Sequence, residues 1–256
     1  MKNFKIIPLL FGFSFFVFFG NVEAAPKDVV SKFYEANLSY KDGEYRKAID
    51  LYEDIVRLGF ANGVLYYNLG NSYFKIDDLG RAIVNYERAK FFIPRDGDLR
   101  SNEQYAYSLT QAHNLLTKKM FLGRIIEKIR DEFTCNEIVW FLLALYIVLG
   151  FFVVFGMLSK WPKKKIFIIS GIFIVIIVFG SMMLITKVLA EDRAAIIMLD
   201  TDAKFEPQDN ATTHFSLVIG SRINVVKAED NWAKIERLDG KLGWIKAKDF
   251  EMIHLH

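Results

Sequence analysis

The sequence predicts a multidomain membrane protein: an all-α repeat domain, a two-helix transmembrane hairpin and a small all-β domain, in that order. Three observations carry this reading. Apolar residues gather in long runs at 6–20, 138–158 and 166–186 instead of spreading through the chain. Residues 26–118 have helical periodicity and repeat themselves at a spacing of 34. Residues 194–253 break into short alternating runs separated by turn residues. Aromatic burial excludes disorder, since 24 Phe, 11 Tyr and 4 Trp must leave water. Basic and acidic residues nearly balance, 33 against 30, and a net charge of +3 does not point to nucleic acid as a partner.

Residues 1–25 read as a signal peptide. Lys2 and Lys5 make a basic start, and 6–20 is an apolar stretch too short to span comfortably. Val22-Glu23-Ala24 is a small-residue end that places cleavage near Ala24 or Ala25. The alternative is an uncleaved anchor. No cysteine lies near the cleavage site, which argues against a lipoprotein.

Segments 138–158 and 166–186 hold 21 residues each with no charge. As helices they would each be about 31 Å long, the thickness of a hydrocarbon core. The connector 159–165 reads Ser-Lys-Trp-Pro-Lys-Lys-Lys and is too short to cross a bilayer, so the two spans form a hairpin. Lys160, Lys163, Lys164 and Lys165 mark it as the cytoplasmic side of an inner membrane. Trp161 suits the interface and Pro162 breaks the helix there. Both flanking soluble parts then face the periplasm, where a signal peptide would deliver the first of them. Spans without ionisable groups serve as an anchor rather than a conduit. Gly150 and Gly156, or Gly171, Gly180 and Ser181, would let the two helices approach closely.

Within 26–118, Ala36, Tyr40, Gly43, Tyr45, Ala48, Ile49 and Tyr52 are matched 34 residues on by Gly70, Phe74, Asp77, Leu79, Ala82, Ile83 and Tyr86. The second copy, YYNLGNSYFKIDDLGRAIVNYERAKFFIP, adds Tyr66, Leu69, Tyr73, Ala89 and Pro94. This resembles the tetratricopeptide repeat, with repeats at about 29–62 and 63–96 and a capping helix after them. The first copy departs at Lys32 and at Phe60, which stands where proline is usual. Small residues let paired helices approach, and larger ones fill the space between pairs. Asn102 and Gln104 sit where a third copy would begin. The resemblance implies a concave groove for peptide segments or helices. Its matching positions are Phe33, Asn37, Tyr40 and Lys41 in copy one, and Tyr67, Asn71, Phe74 and Lys75 in copy two. Asn68 matches a further ligand-touching position. The family's carboxylate clamp also needs cations, but Phe33, Asp98 and Asn102 hold those places, so this groove is not expected to bind a free C-terminal carboxylate.

Residues 119–137 make an amphipathic juxtamembrane stretch, with Leu122, Ile125, Ile126, Ile129 and Phe133 on one face. Residues 194–253 carry strand signals around 195–199, 223–226 and 232–235, a hairpin turn at Asp239-Gly240, and Gly243-Trp244-Ile245 after it. This order resembles the bacterial SH3-like barrel, although Lys204-Phe205-Glu206-Pro207 departs from the family's usual segment after the first strand. Phe205, Trp232 and Trp244 are its candidate surface residues, and peptidoglycan is a possible ligand.

No catalytic constellation is present: no phosphate-cradling glycine loop, no metal-ligand spacing, and no acid or base placed in the sequence to activate Cys135. His254 and His256 read as a frayed tail. The sequence therefore predicts neither an enzyme nor a cofactor. Signal, repeats, hairpin and barrel in this order resemble the BatE-like proteins of the Bacteroides aerotolerance group. That resemblance implies a scaffold beside von Willebrand factor A-type membrane proteins and a MoxR-type ATPase, in tolerance of oxidative or envelope stress. Two functions are expected: an adaptor that binds partner proteins through groove and barrel, or a cell-wall sensor whose barrel binds peptidoglycan and signals through the hairpin.

Overall fold

The computed structural model describes residues 26–110, 131–159 and 161–254. The signal segment, most of the amphipathic stretch, the end of the capping segment, Lys160 and His256 lie outside the described residues. Five helices come first: α1 (Lys27–Lys41), α2 (Tyr45–Arg57), α3 (Gly63–Lys75), α4 (Leu79–Phe92) and α5 (Gly97–Leu109). The pairs α1–α2 and α3–α4 sit in the 34-residue register seen in the sequence. Equivalent turns reverse the chain at Gly43 (φ +82°) and Asp77 (φ +61°), a left-handed position that Asp tolerates better than most residues. Asn62, Asp78 and Asp96 cap α3, α4 and α5 by accepting a backbone N–H three residues on. Where Ala36 packs in copy one, Gly70 stands in copy two, and a Cβ there would lie 2.7 Å from the Tyr86 ring. The small residue is what lets α3 and α4 close together.

Two long apolar helices follow, α6 (Cys135–Leu158) and α7 (Lys163–Arg193). Thr134 and Glu137 form a reciprocal capping box, so α6 starts afresh after Phe133 rather than continuing the amphipathic stretch. Both helices are long and apolar enough to cross a membrane, and only 6% and 0% of their most apolar windows are buried. They are not core helices of a globular unit. Gly156 meets Ile166 and Gly180 meets Leu142 at the helix–helix contact, whereas Gly150 and Gly171 face open space, contrary to expectation. Arg95 bonds Glu137 at 2.5 Å and Arg100 bonds Glu132 at 2.9 Å, tying the helical unit to the entry of α6.

The end of α7 is the start of the sheet, with Arg193 followed at once by β1 (Ala194–Ile197). The remaining strands are β2 (Thr201–Lys204), β3 (Thr213–Leu217), β4 (Arg222–Glu229), β5 (Trp232–Arg237), β6 (Leu242–Lys246) and β7 (Phe250–Met252). They form one antiparallel sheet in the order β3-β2-β6-β5-β4-β1-β7. Gly240 (φ +85°) supplies the turn between β5 and β6. The β2–β3 hairpin was not anticipated, because TDAK and THFSL are too polar to stand out as strands.

β1 explains how the units join. Its four residues are all buried. Ala194 and Ile196 belong to the core of the helical unit, while Ala195 and Ile197 belong to that of the sheet. A strand covered on both faces needs apolar residues at every position, and Ala-Ala-Ile-Ile meets that need. The helical partner is α4, whose Gly80 packs on Met198 and whose Ile83 packs on Gly220. One turn further, Arg88 donates from Nε to the Ile253 carbonyl at 3.0 Å and from a terminal nitrogen to the Met252 carbonyl at 2.8 Å, and it pairs with Glu251 at 2.9 Å. Ile253 is buried, so the chain through His254 is anchored and not a frayed tail.

Candidate functional site

Residues of α1, α3, α4 and α5 line a cleft of about 390 Å³ in the helical unit. Five of the anticipated groove residues line it: Tyr40, Tyr67, Asn71, Phe74 and Lys75. Phe33, Asn37, Lys41 and Asn68 do not. Phe33 packs on Tyr52 with ring centroids 5.8 Å apart, and Lys41 is exposed at the end of α1. Three wall residues had not been assigned to the groove: Tyr86, Asn102 and Tyr105. The position of Asn102 was legible as the start of a third copy. Tyr105 falls in the segment expected to cap the repeats, and the sequence does not show which face of α5 turns toward α3.

The wall is built from a hydrogen-bond pattern that repeats with the helices. Asn37 Oδ1 accepts from the Tyr52 hydroxyl at 2.6 Å and from Asn68 Nδ2 at 3.0 Å. Thirty-four residues on, Asn71 Oδ1 accepts from the Tyr86 hydroxyl at 2.8 Å and from Asn102 Nδ2 at 3.0 Å. Asn102 Nδ2 also donates to the Tyr67 hydroxyl at 2.9 Å. Burial pushes the Tyr52 phenol up to about 12 and raises that of Tyr86 further, so both remain neutral donors at any physiological pH. An asparagine offers two donors and one two-lone-pair acceptor. Among the described residues, the Asn71 nitrogen donates no bond and the Asn102 oxygen accepts none. The cleft wall therefore offers a donor and an acceptor side by side. Around them, the rings of Phe74 and Tyr105 lie 5.7 Å apart and those of Tyr67 and Tyr86 6.2 Å apart. Among the described residues, Lys75 is the one charged residue lining the cleft.

A second polar arrangement lies behind the cleft. Glu87 of α4, only 3% exposed, accepts from the Tyr107 hydroxyl at 2.8 Å and pairs with Arg222 of β4 at 2.9 Å and with Lys90 at 3.2 Å. Lys90 is shared with Glu103 of α5 at 2.6 Å. Burial by itself would raise the Glu87 carboxyl, but Arg222, Lys90 and the Tyr107 hydroxyl outweigh burial and hold it well below the usual range. Among the described residues Glu103 pairs with Lys90 alone, and burial together with the Glu87 charge pushes its carboxyl up to about 7. Lys187 and Glu191 of α7, paired at 3.1 Å, line the same recess with Asp131. Glu191 also lies 3.6 Å from the Cys135 sulfur, so an acid does stand beside this thiol, which the sequence did not show.

On the sheet, Phe205 is exposed and stacks on His214 at 4.3 Å. Trp232 and Trp244 are half-buried on the outer face of β5 and β6. Each is paired in register with a lysine on the other strand, Trp232 with Lys246 and Trp244 with Lys234, and the ammonium groups lie 5.8 and 6.0 Å from the ring centroids. Among the described residues no group of His, Cys, Asp and Glu has the arrangement of a metal site. No family model matches the chain, and no curated protein matches it at a significant level.

Proposed function

We propose that this protein is a non-enzymatic membrane-anchored adaptor whose helical unit holds an extended segment of a partner protein. In this reading the helical unit is a tetratricopeptide repeat array, α6 and α7 are a transmembrane hairpin, and the sheet is an SH3-like barrel. Both soluble units lie on the periplasmic side of the inner membrane. The observation that carries the reading is the donor–acceptor pair of Asn71 and Asn102 in an aromatic cleft. A peptide unit in extended conformation presents one carbonyl and one N–H, which is the complement of that pair, while ring pairs on either side suit its apolar side chains. Lys75 favours a partner segment with an acidic residue nearby. The BatE-like resemblance, and with it partners such as von Willebrand factor A-type membrane proteins and a MoxR-type ATPase system, belongs to this proposal. The wall-sensor alternative has less support, because lysines occupy the faces of Trp232 and Trp244 that a sugar ring would need.

A photo-reactive amino acid at Phe74, in native membranes, tests the adaptor directly. The expected result is cross-linking to an envelope protein, lost with Asn71→Ala and absent when the probe replaces Phe92, which is exposed and lies outside the cleft. Equal adducts from both positions, or none from Phe74, would contradict it.

A further inference from the structure

α5 connects the cleft to the buried charges. Its Asn102 and Tyr105 form one wall of the cleft, while its Glu103 and Tyr107 face α4 and reach the carboxylate cluster. The repeat shows how unusual that second face is. Thirty-four residues before Tyr107 and Glu87, Tyr73 donates to Glu53 in the same way. Thirty-four residues before Glu103 and Lys90, however, stand Leu69 and Val56. A carboxylate and an ammonium thus occupy places that are apolar one repeat earlier, and Glu103 is 7% exposed where Leu69 is 3% exposed.

The charges facing Glu103 decide its behaviour. α4 presents Glu87 and Lys90, and β4 presents Arg222, which Glu87 holds. α7 presents the Lys187–Glu191 pair in the adjoining recess, with Asp131 beside it. Two carboxylates share one ammonium, and Glu87 has the better set of partners. Like charges so placed cannot both ionise without cost. A carboxyl that keeps its proton to near neutrality in the packed state, and ionises in the ordinary acid range when hydrated, favours the packed state as pH falls.

We propose that the cleft is proton-gated: with a proton on Glu103, α5 stays packed on α4 and the binding wall is complete, and loss of that proton to water loosens α5 and withdraws Asn102 and Tyr105 from the ligand. This rests on the peptide-groove reading above and adds its regulation. The gate makes the adaptor hold its partner more tightly in a mildly acidic surrounding.

The test uses the full chain in mild detergent, with a dodecapeptide selected on it from a random library at pH 6. Affinity should fall several-fold between pH 6 and pH 8, within a linkage ceiling of about tenfold. Amide exchange in α5, corrected for the intrinsic rate, should rise in parallel. Glu103→Gln, a neutral isostere, should bind at both pH values with the wild-type affinity of pH 6, and Glu103→Leu, which restores the residue type of Leu69, should do the same if Gln perturbs folding. A wild-type affinity and α5 exchange that do not change with pH would overturn the gate and leave the groove standing. An equal fall in both variants would also overturn it. A library that yields no binder at pH 6 removes the groove and the gate together.

Discussion

At the scale of single residues, the account turns on side chains whose partners are fixed by a repeat. Asn71 is the clearest. Its Oδ1 holds the hydroxyl of Tyr86, a residue 1% exposed, and the amide of Asn102. Asn71→Ala leaves a buried phenol without an acceptor, so the helical unit should lose about 1–3 kcal/mol in thermal or denaturant unfolding of the full chain. Asn71→Asp keeps the acceptor and should recover most of that loss. Glu103 and Glu87 set the pH dependence with opposite signs. The carboxyl of Glu103 is raised, so its contribution is complete below the ordinary glutamate range and is lost as pH rises through about 7. Glu87 is depressed, so its contribution is present above that range and is lost as pH falls below it. The unfolding temperature should therefore decline from pH 5.5 to pH 8 and again below pH 4. Glu103→Gln should abolish the first decline and leave the second.

At the scale of elements, α4 is the piece that the rest is built around. Its positions 82, 83 and 86 pack in the helical core, and 80, 83, 87 and 88 meet the sheet. The first role was legible in the sequence through the 34-residue period, and so were the helix pairs, their turns and the two apolar helices. The second role was not. Asn85, Glu87 and Arg88 are polar or charged side chains on a helix, yet all three are buried. The signal that was available lies in how copy two departs from copy one, with Asn85 against Leu51 and Arg88 against Asp54. Such departures mark a face that meets something other than another repeat. The cleft was half legible for a related reason: its α1 and α3 positions are among those that the tetratricopeptide resemblance implies, but α5 completes it only because of how it packs. Two substitutions probe this element. Arg88→Met removes the donor to Met252 and Ile253 and the partner of Glu251, and amide exchange at 250–254 should rise at least several-fold while α1 and α2 stay protected. Gly70→Val drives a branched side chain into the Tyr86 ring, and a well-packed core resists this by about 1–3 kcal/mol, read as a lowered unfolding temperature.

At the scale of the whole molecule, the contacts between the two soluble units bear on topology. The helical unit precedes α6 and the sheet follows α7, yet they share the strand β1 and the Arg88 anchor. Units in van der Waals contact lie on the same side of any bilayer, and a pair of spans returns the chain to the side it started from. The sheet also follows α7 without a linker, and α4 touches both cleft and sheet. In the proposed reading, a segment held in the cleft is mechanically close to the apolar helix pair, and local concentration at a membrane favours partners that are themselves membrane-bound. The direct test labels single cysteines in a Cys135→Ser background with a membrane-impermeant maleimide. Asp98→Cys in the helical unit, Lys241→Cys in the sheet and Lys164→Cys between the spans are all exposed. The account predicts that positions 98 and 241 react in intact cells and that 164 reacts only after lysis. Reaction at 164 alone, or different behaviour at 98 and 241, would contradict it.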